Sequence, residues 1–165
     1  SDSIGEHEMH SEFIAVPKSL IEELASTSRR VFAVGTTSVR TLESLYHIGC
    51  LIAQNEWNGE LPQWYPYSET HPHLSVADSL NAIVEYLNAS GSDTLIASTR
   101  VIIAPGYKYM IVKGIITNFH QPQSTLLLLV SAFVGGDWRA MYDFALAHNF
   151  RFLSYGDASL LMHNS

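Results

Sequence analysis

Val31-Phe32-Ala33-Val34-Gly35-Thr36-Thr37-Ser38-Val39-Arg40 is the stretch whose reading decides the fold. A short apolar run ends at a glycine and gives way at once to three hydroxyl residues that can cap a helix. On that helix Val39, Leu42, Tyr46 and Gly49 fall on one face. The unit is therefore a buried strand, a tight turn and a helix, and the pattern repeats outward from it. Towards the N-terminus, Glu12 to Val16 is β-prone, and Pro17 begins a short helix that carries Leu20, Ile21, Leu24 and Ala25 inward and closes at Arg29 and Arg30. Towards the C-terminus, residues 55–74 are rich in Trp, Pro, Tyr and His and read as a long loop or an insertion. Ser75 with Asp78 resembles a capping box, ahead of Leu80, Ile83, Val84 and Leu87 at helical spacing.

Beyond that helix, Thr94 to Ala104 predicts a strand and Pro105-Gly106 a turn. Met110 to Asn118 predicts a second strand, or a hairpin around Lys113-Gly114, and the two strands are expected to pair. Pro122 and Ser124 open a predicted helix, Thr125 to Val134, apolar around its circumference and stopped by Gly135-Gly136. Asp137 caps another, with Trp138, Met141, Tyr142 and Ala145 inward. Phe150 to Leu153 is the last strand, turning at Tyr155-Gly156-Asp157. Alternating strands and helices predict an α/β fold, a sandwich-like domain of three αβα layers with a mixed sheet.

The 165 residues, 47% of them hydrophobic, suffice for one compact domain with its own core. No apolar run approaches the roughly 20 residues of a membrane-spanning helix, so no membrane partner is expected. The start, Ser1-Asp2-Ser3-Ile4-Gly5-Glu6-His7-Glu8, lacks the pattern of a secretory signal. Cys50 is the single cysteine, which fits a reducing cytoplasm. A formal charge of −7 with nine scattered Lys and Arg argues against broad adhesion to nucleic acid, so any RNA contact is local or is made by regions outside this chain.

Four polar clusters can carry chemistry. In His7-Glu8-Met9-His10-Ser11-Glu12 an extended backbone puts His10 and Glu12 on one face, where a carboxylate can orient an imidazole as general base. A polar chain end explains it equally well. A metal reading has no recognised ligand spacing behind it, so no metal is expected. Thr36, Thr37, Ser38 and Arg40 stand at a helix start, where free N–H groups and the helix dipole favour a carboxylate or phosphate. Ordinary capping explains the same spacing and is the favoured reading. Thr117-Asn118-Phe119-His120-Gln121-Pro122-Gln123-Ser124 follows a strand, the usual place for ligands in α/β sheets. Ser154-Tyr155-Gly156-Asp157 is a sharp turn. Trp57, Trp64, Tyr65 and Tyr67 offer stacking surfaces for RNA bases, against a default of a packed surface insertion.

Glu6 to Glu12, Val34 to Ser44, Thr117 to Leu126 and Arg151 to Ala158, in that order, resemble the signature of the S-adenosylmethionine:tRNA ribosyltransferase-isomerase family. The likeness runs from about His7 to Leu161. It implies a longer protein, an α/β sandwich with an inserted β-barrel, of which this chain resembles the half that follows the barrel. It also implies that S-adenosylmethionine is a ribosyl donor and substrate, with no resident cofactor. The ribose goes to 7-aminomethyl-7-deazaguanine in tRNA, giving the epoxide-bearing queuosine precursor and releasing adenine and methionine. The sulfonium acidifies the C5′ hydrogen, which calls for a base near neutral pKa. The resemblance assigns that role to His10 oriented by Glu12, or alternatively to His120. Thr36, Thr37, Ser38 and Arg40 would hold a carboxylate or phosphate, and His7, Asn118, Tyr155 and Asp157 would contact substrate. The competing expectation is a non-catalytic module that binds ligand or RNA.

Overall fold

The computed structural model describes residues 10–27, 31–34, 36–118, 127–129 and 150–154, with side chains over 10–27, 31–33 and 38–114. In chain order the elements are β1 (Glu12–Pro17), α1 (Lys18–Ser26), β2 (Val31–Val34), α2 (Thr36–Ala53), β3 (Glu60–Leu61), α3 (Val76–Ser90), β4 (Thr94–Thr99), β5 (Val112–Asn118), β6 (Leu127–Leu129) and β7 (Phe150–Ser154). The fold is α/β with mixed sheets. Two compact units divide it, Ser1–Thr27 with Ser44–Lys108, and Ser28–Glu43 with Tyr109–Ser165.

In the first unit, β4 is the middle strand, antiparallel to β1 and parallel to β3. Ile14 and Val16 on β1 face the core opposite Ala97 and Leu95, while Phe13 and Ile96 point to the exposed side. Helices α1 and α3 pack together through Ile21 and Leu24 on one and Leu80, Ile83 and Leu87 on the other. Ser75 caps α3, its hydroxyl accepting from the Asp78 N–H at 3.0 Å, as the capping-box spacing predicts. At the far end Gly91 adopts φ 71°, a left-handed cap open to glycine at little cost, and Ser92 N donates back to Leu87 O.

The second unit is a four-stranded sheet in the order β6-β2-β5-β7. β2 and β5 run parallel, with Val34 opposite Ile116, and the outer strands are antiparallel to them. The start of β5 is held by one side chain. Glu43 on α2 is fully buried and accepts N–H groups from Met110, Ile111 and Val112 at 2.9, 2.9 and 2.7 Å. A buried carboxylate is tolerable only when its lone pairs are satisfied, and three charge-assisted bonds do that.

Several expectations are corrected. Leu127–Leu129 is a strand, not part of a helix over Thr125 to Val134, because a short leucine run suits a buried strand as well as a helix and here it pairs with Phe32–Val34. The remaining residues of that span and the helix after Asp137 lie outside the described residues. The strand from Thr94 stops at Thr99, where its partner β1 begins at Glu12; beyond it Arg100 and Ile102 N–H groups turn to the Leu61 and Gln63 carbonyls. β4 and β5 do not pair but belong to separate sheets, and β5 is one strand with no hairpin at Lys113-Gly114. The Pro105-Gly106 turn is present, with Gly106 at φ 91° and Tyr107 N bonded to Ala104 O. Helix α2 is not one-faced: every residue from Thr41 to Leu51 is buried.

Where α2 crosses α3, Gly49 lies so close to Ser79 that a Cβ would collide with the Ser79 carbonyl and hydroxyl. The Ser79 hydroxyl meanwhile donates to Tyr46 O at 2.5 Å. Gly49→Ala gains about 1 kcal/mol of helix propensity. The obstacle is backbone, so a steric cost of about 1–3 kcal/mol is expected to win, lowering the urea midpoint. Glu43→Ala leaves three amides without their acceptor at about 1–3 kcal/mol each, and the same titration should register a loss of at least about 3 kcal/mol.

Candidate functional site

In the second unit the parallel pair β2 and β5 sets the geometry. Both strands end at the same edge of the sheet, since Val34 is level with Ile116 and Asn118 lies two residues on. Helix α2 starts at Thr36 from that edge, and β6 begins there too, Leu127 pairing with Val34. The carboxyl edge of a parallel pair, with a helix N-terminus rising from it, is where α/β sheets bind anions. The structure thus brings Thr36, Thr37 and Asn118 to one edge by backbone position, together with both anchors, Asn118 and Leu127, of the segment that contains His120. His120 itself lies outside the described residues. Ser38, in the first turn of α2, is fully buried, and Arg40 is half-buried; neither lacks a partner.

β7 bears on a further expected grouping. It runs antiparallel to β5, with Phe150 opposite Asn118 and Ser154 opposite Gly114. The chain therefore leaves β7 towards Tyr155 and Asp157 about 13 Å along the strand from the edge that holds Asn118. Tyr155 and Asp157 lie outside the described residues. To line a pocket with Asn118 they must return along the sheet.

In the first unit a polar corner forms at the head of β1. His10 and Glu12 are both exposed, and Glu12 is the first residue of the strand. Strand alternation puts Glu12 on the face of Ile14 and Val16, directly opposite Thr99. Thr99 is fully buried. Its hydroxyl accepts from Val101 N at 3.2 Å and meets the buried Ser44 hydroxyl at 3.0 Å. Ser11 donates to Glu60 at 2.7 Å. Thr99 of β4 and Ser44 of α2 thus lie on the face of Glu12, while register puts Glu60 opposite Ser98 on the other face, where it holds Ser11. His7 lies outside the described residues. Among the described residues no three His, Cys, Asp or Glu side chains gather as a metal site, and no helix is long and apolar enough to cross a membrane.

Ser11, Ser44, Glu60 and Thr99 were not singled out from the sequence. Ser11 and Ser44 sit inside quoted motifs, which is a signal of sorts. Nothing local marks Thr99, whose place comes from pairing with a strand 87 positions earlier at Glu12.

The chain matches the model of the family described as queuosine biosynthesis protein over residues 1–161. It is 38% identical over 164 residues to proteins named S-adenosylmethionine:tRNA ribosyltransferase-isomerase from Paraburkholderia phymatum, Burkholderia cenocepacia and Burkholderia vietnamiensis, covering 97% of this chain and 36% of each relative. The chain thus spans about a third of the length of the curated relatives it matches. No solved structure matches.

Thr99→Val keeps the shape of the side chain and removes the hydroxyl that bonds the Val101 N–H and the buried Ser44 hydroxyl. A stability loss of about 1–3 kcal/mol is expected in denaturant titration. The double variant with Ser44→Ala should lose less than the two single losses summed, because one contact is shared.

Proposed function

The chain belongs to the queuosine biosynthesis protein family, and from that premise we propose that it supplies part of the substrate site of an S-adenosylmethionine:tRNA ribosyltransferase-isomerase. The observation that carries this reading is the 38% identity sustained over 97% of the chain. The donor is S-adenosylmethionine, consumed as substrate, so no resident cofactor is needed. The acceptor is the aminomethyl group of 7-aminomethyl-7-deazaguanine in tRNA, and adenine and methionine leave. In this reading the chain is a portion of the family's three-layer αβα sandwich, and the inserted barrel lies in the part of the relatives it does not span. With a net charge of −7 the chain is poorly suited to hold tRNA by itself. Most of that grip falls to the same unspanned part.

The sulfonium of S-adenosylmethionine acidifies the C5′ hydrogen, and His10 is the base that removes it, oriented by Glu12; His120 is the alternative. The exposure of His10 and Glu12 supports the assignment, since a substrate can reach both. Thr36, Thr37, Ser38 and Arg40 hold an anion, the methionyl carboxylate or a phosphate, at the start of α2. The helix dipole there favours negative charge by about 0.3–1 kcal/mol at exposed sites. His7, Asn118, Tyr155 and Asp157 contact substrate.

Because the chain spans 36% of its relatives, a second reading stays open, a module that binds ligand or RNA without turnover. Calorimetry of the chain against S-adenosylmethionine and against an anticodon stem-loop, with chromatography for released adenine, separates the two. Saturable binding of S-adenosylmethionine with adenine release is expected for the enzyme, and binding alone for the module. Heat from neither ligand would remove the substrate-site assignment. Where turnover is measured, His10→Ala should slow adenine release by about 10²-fold; an unchanged rate takes His10 out of the mechanism.

A further inference from the structure

His47 projects from α2 into the first unit and is almost fully buried. Its two ring nitrogens meet two different loops. Nδ1 lies 2.9 Å from His71 Nε2, in the aromatic loop before α3, and Nε2 lies 2.7 Å from the Tyr107 hydroxyl, in the loop after β4. His71 Nδ1 in turn lies 2.6 Å from the Pro72 carbonyl. Tyrosines brace the same loops. Tyr46 donates to Leu74 O at 2.6 Å, Tyr65 to Gln54 at 2.7 Å and Tyr67 to Ile102 O at 2.8 Å.

The chain of bonds fixes every hydrogen in it. A carbonyl only accepts, so His71 Nδ1 must carry the hydrogen. If His71 is neutral, its Nε2 is an acceptor, and His47 Nδ1 must carry the hydrogen facing it. If His47 is neutral too, its Nε2 accepts, and Tyr107 donates. One added proton on His71 can be absorbed only if His47 moves its own hydrogen to Nε2 and Tyr107 turns acceptor. A second puts N–H against N–H across 2.9 Å, with two positive rings in contact.

We infer that His47, His71 and Tyr107 form an acid-released latch, which fastens the aromatic loop and the loop after β4 to α2 while both imidazoles are neutral and lets them go when both are protonated. Burial, and next the neighbouring His71, pushes the His47 pKa down to about 3. Burial lowers that of His71 as well, with the Pro72 carbonyl opposing and His73 adding to the depression. Both shifts favour the neutral rings. A depressed imidazole contributes stability that is complete above its ordinary value of 6.5 and is lost as pH falls from there towards the folded value of about 3. The other titratable or charged groups facing the cluster are Tyr46 and Cys50 on α2, and Glu56, Tyr65, Tyr67 and His73 on the loop. Burial raises Tyr46, Tyr65, Tyr67 and the Cys50 thiol above their usual ranges, so all four stay neutral through this window.

The latch goes beyond the proposed enzymatic role and does not depend on it. Two measurements on the chain test it. At neutral pH, ¹⁵N imidazole NMR should find both His47 and His71 neutral with the hydrogen on Nδ1, against the Nε2–H form usual for free imidazole; Nε2–H on either ring, or a charged ring, overturns the proposal. As pH falls, hydrogen exchange of amides 62–75, corrected for intrinsic rates, should report an opening constant rising about 100-fold per pH unit for two protons, with α3 still protected. His71→Gln keeps an acceptor for His47 but cannot titrate, and should cut that rise to about tenfold. Glu56→Gln should leave it unchanged, and His73→Gln, which removes one source of the His71 depression, should keep the two-proton steepness while moving the pH at which the rise sets in. A rise no steeper than tenfold in the unsubstituted chain, or loss of α3 protection at the same pH, defeats the latch.

Discussion

The carboxylate of Glu43 is the constraint on which the second unit rests. Buried completely, it would be intolerable without partners, and it finds them in three successive backbone amides at the entry to β5. The same helix that carries Glu43 follows directly from β2. Strand, helix and parallel strand are therefore closed into one unit by a side chain two turns into the helix. The carboxyl edge shared by β2 and β5, and the helix start above it, inherit their geometry from that closure.

Helix α2 supports the first unit by different means. From Ser44 to Leu51 it is buried on all sides, so its polar residues must be satisfied internally, and each meets a specific partner. Ser44 meets Thr99 under β1, His47 meets two loops, and the Tyr46 carbonyl accepts from Ser79 on α3. Gly49 permits the close approach that makes the last of these bonds. A helix surrounded in this way tolerates little change on any face, which is the usual mark of a core element rather than a surface one.

The edge of the β2–β5 pair brings the ends of two parallel strands and the start of α2 together. The polar corner at His10 and Glu12 is built in the other unit from residues far apart in sequence. A buried Ser44–Thr99 pair stands behind Glu12 on the same face of the sheet. The aromatic loop, which composition marks as a long loop or an insertion, is tied to α2 through the buried His47 and the half-buried His71.

By itself the sequence determined the α/β class, the strand before Gly35 and the helix after it, the capped helix after Ser75, the turn at Pro105-Gly106 and the family, because each is written in local spacing or in contiguous motifs. Only the tertiary structure decided that Leu127–Leu129 is a strand, that β4 and β5 join different sheets, and that Thr99 and Ser44 stand behind Glu12. A leucine run carries no period that separates a buried strand from a buried helix, and strand partners are chosen by register across long stretches of chain. His47 makes the same point. On α2 it is one of several buried polar residues, and it acquires a role only where two loops, 24 and 60 residues away, close on its two nitrogens.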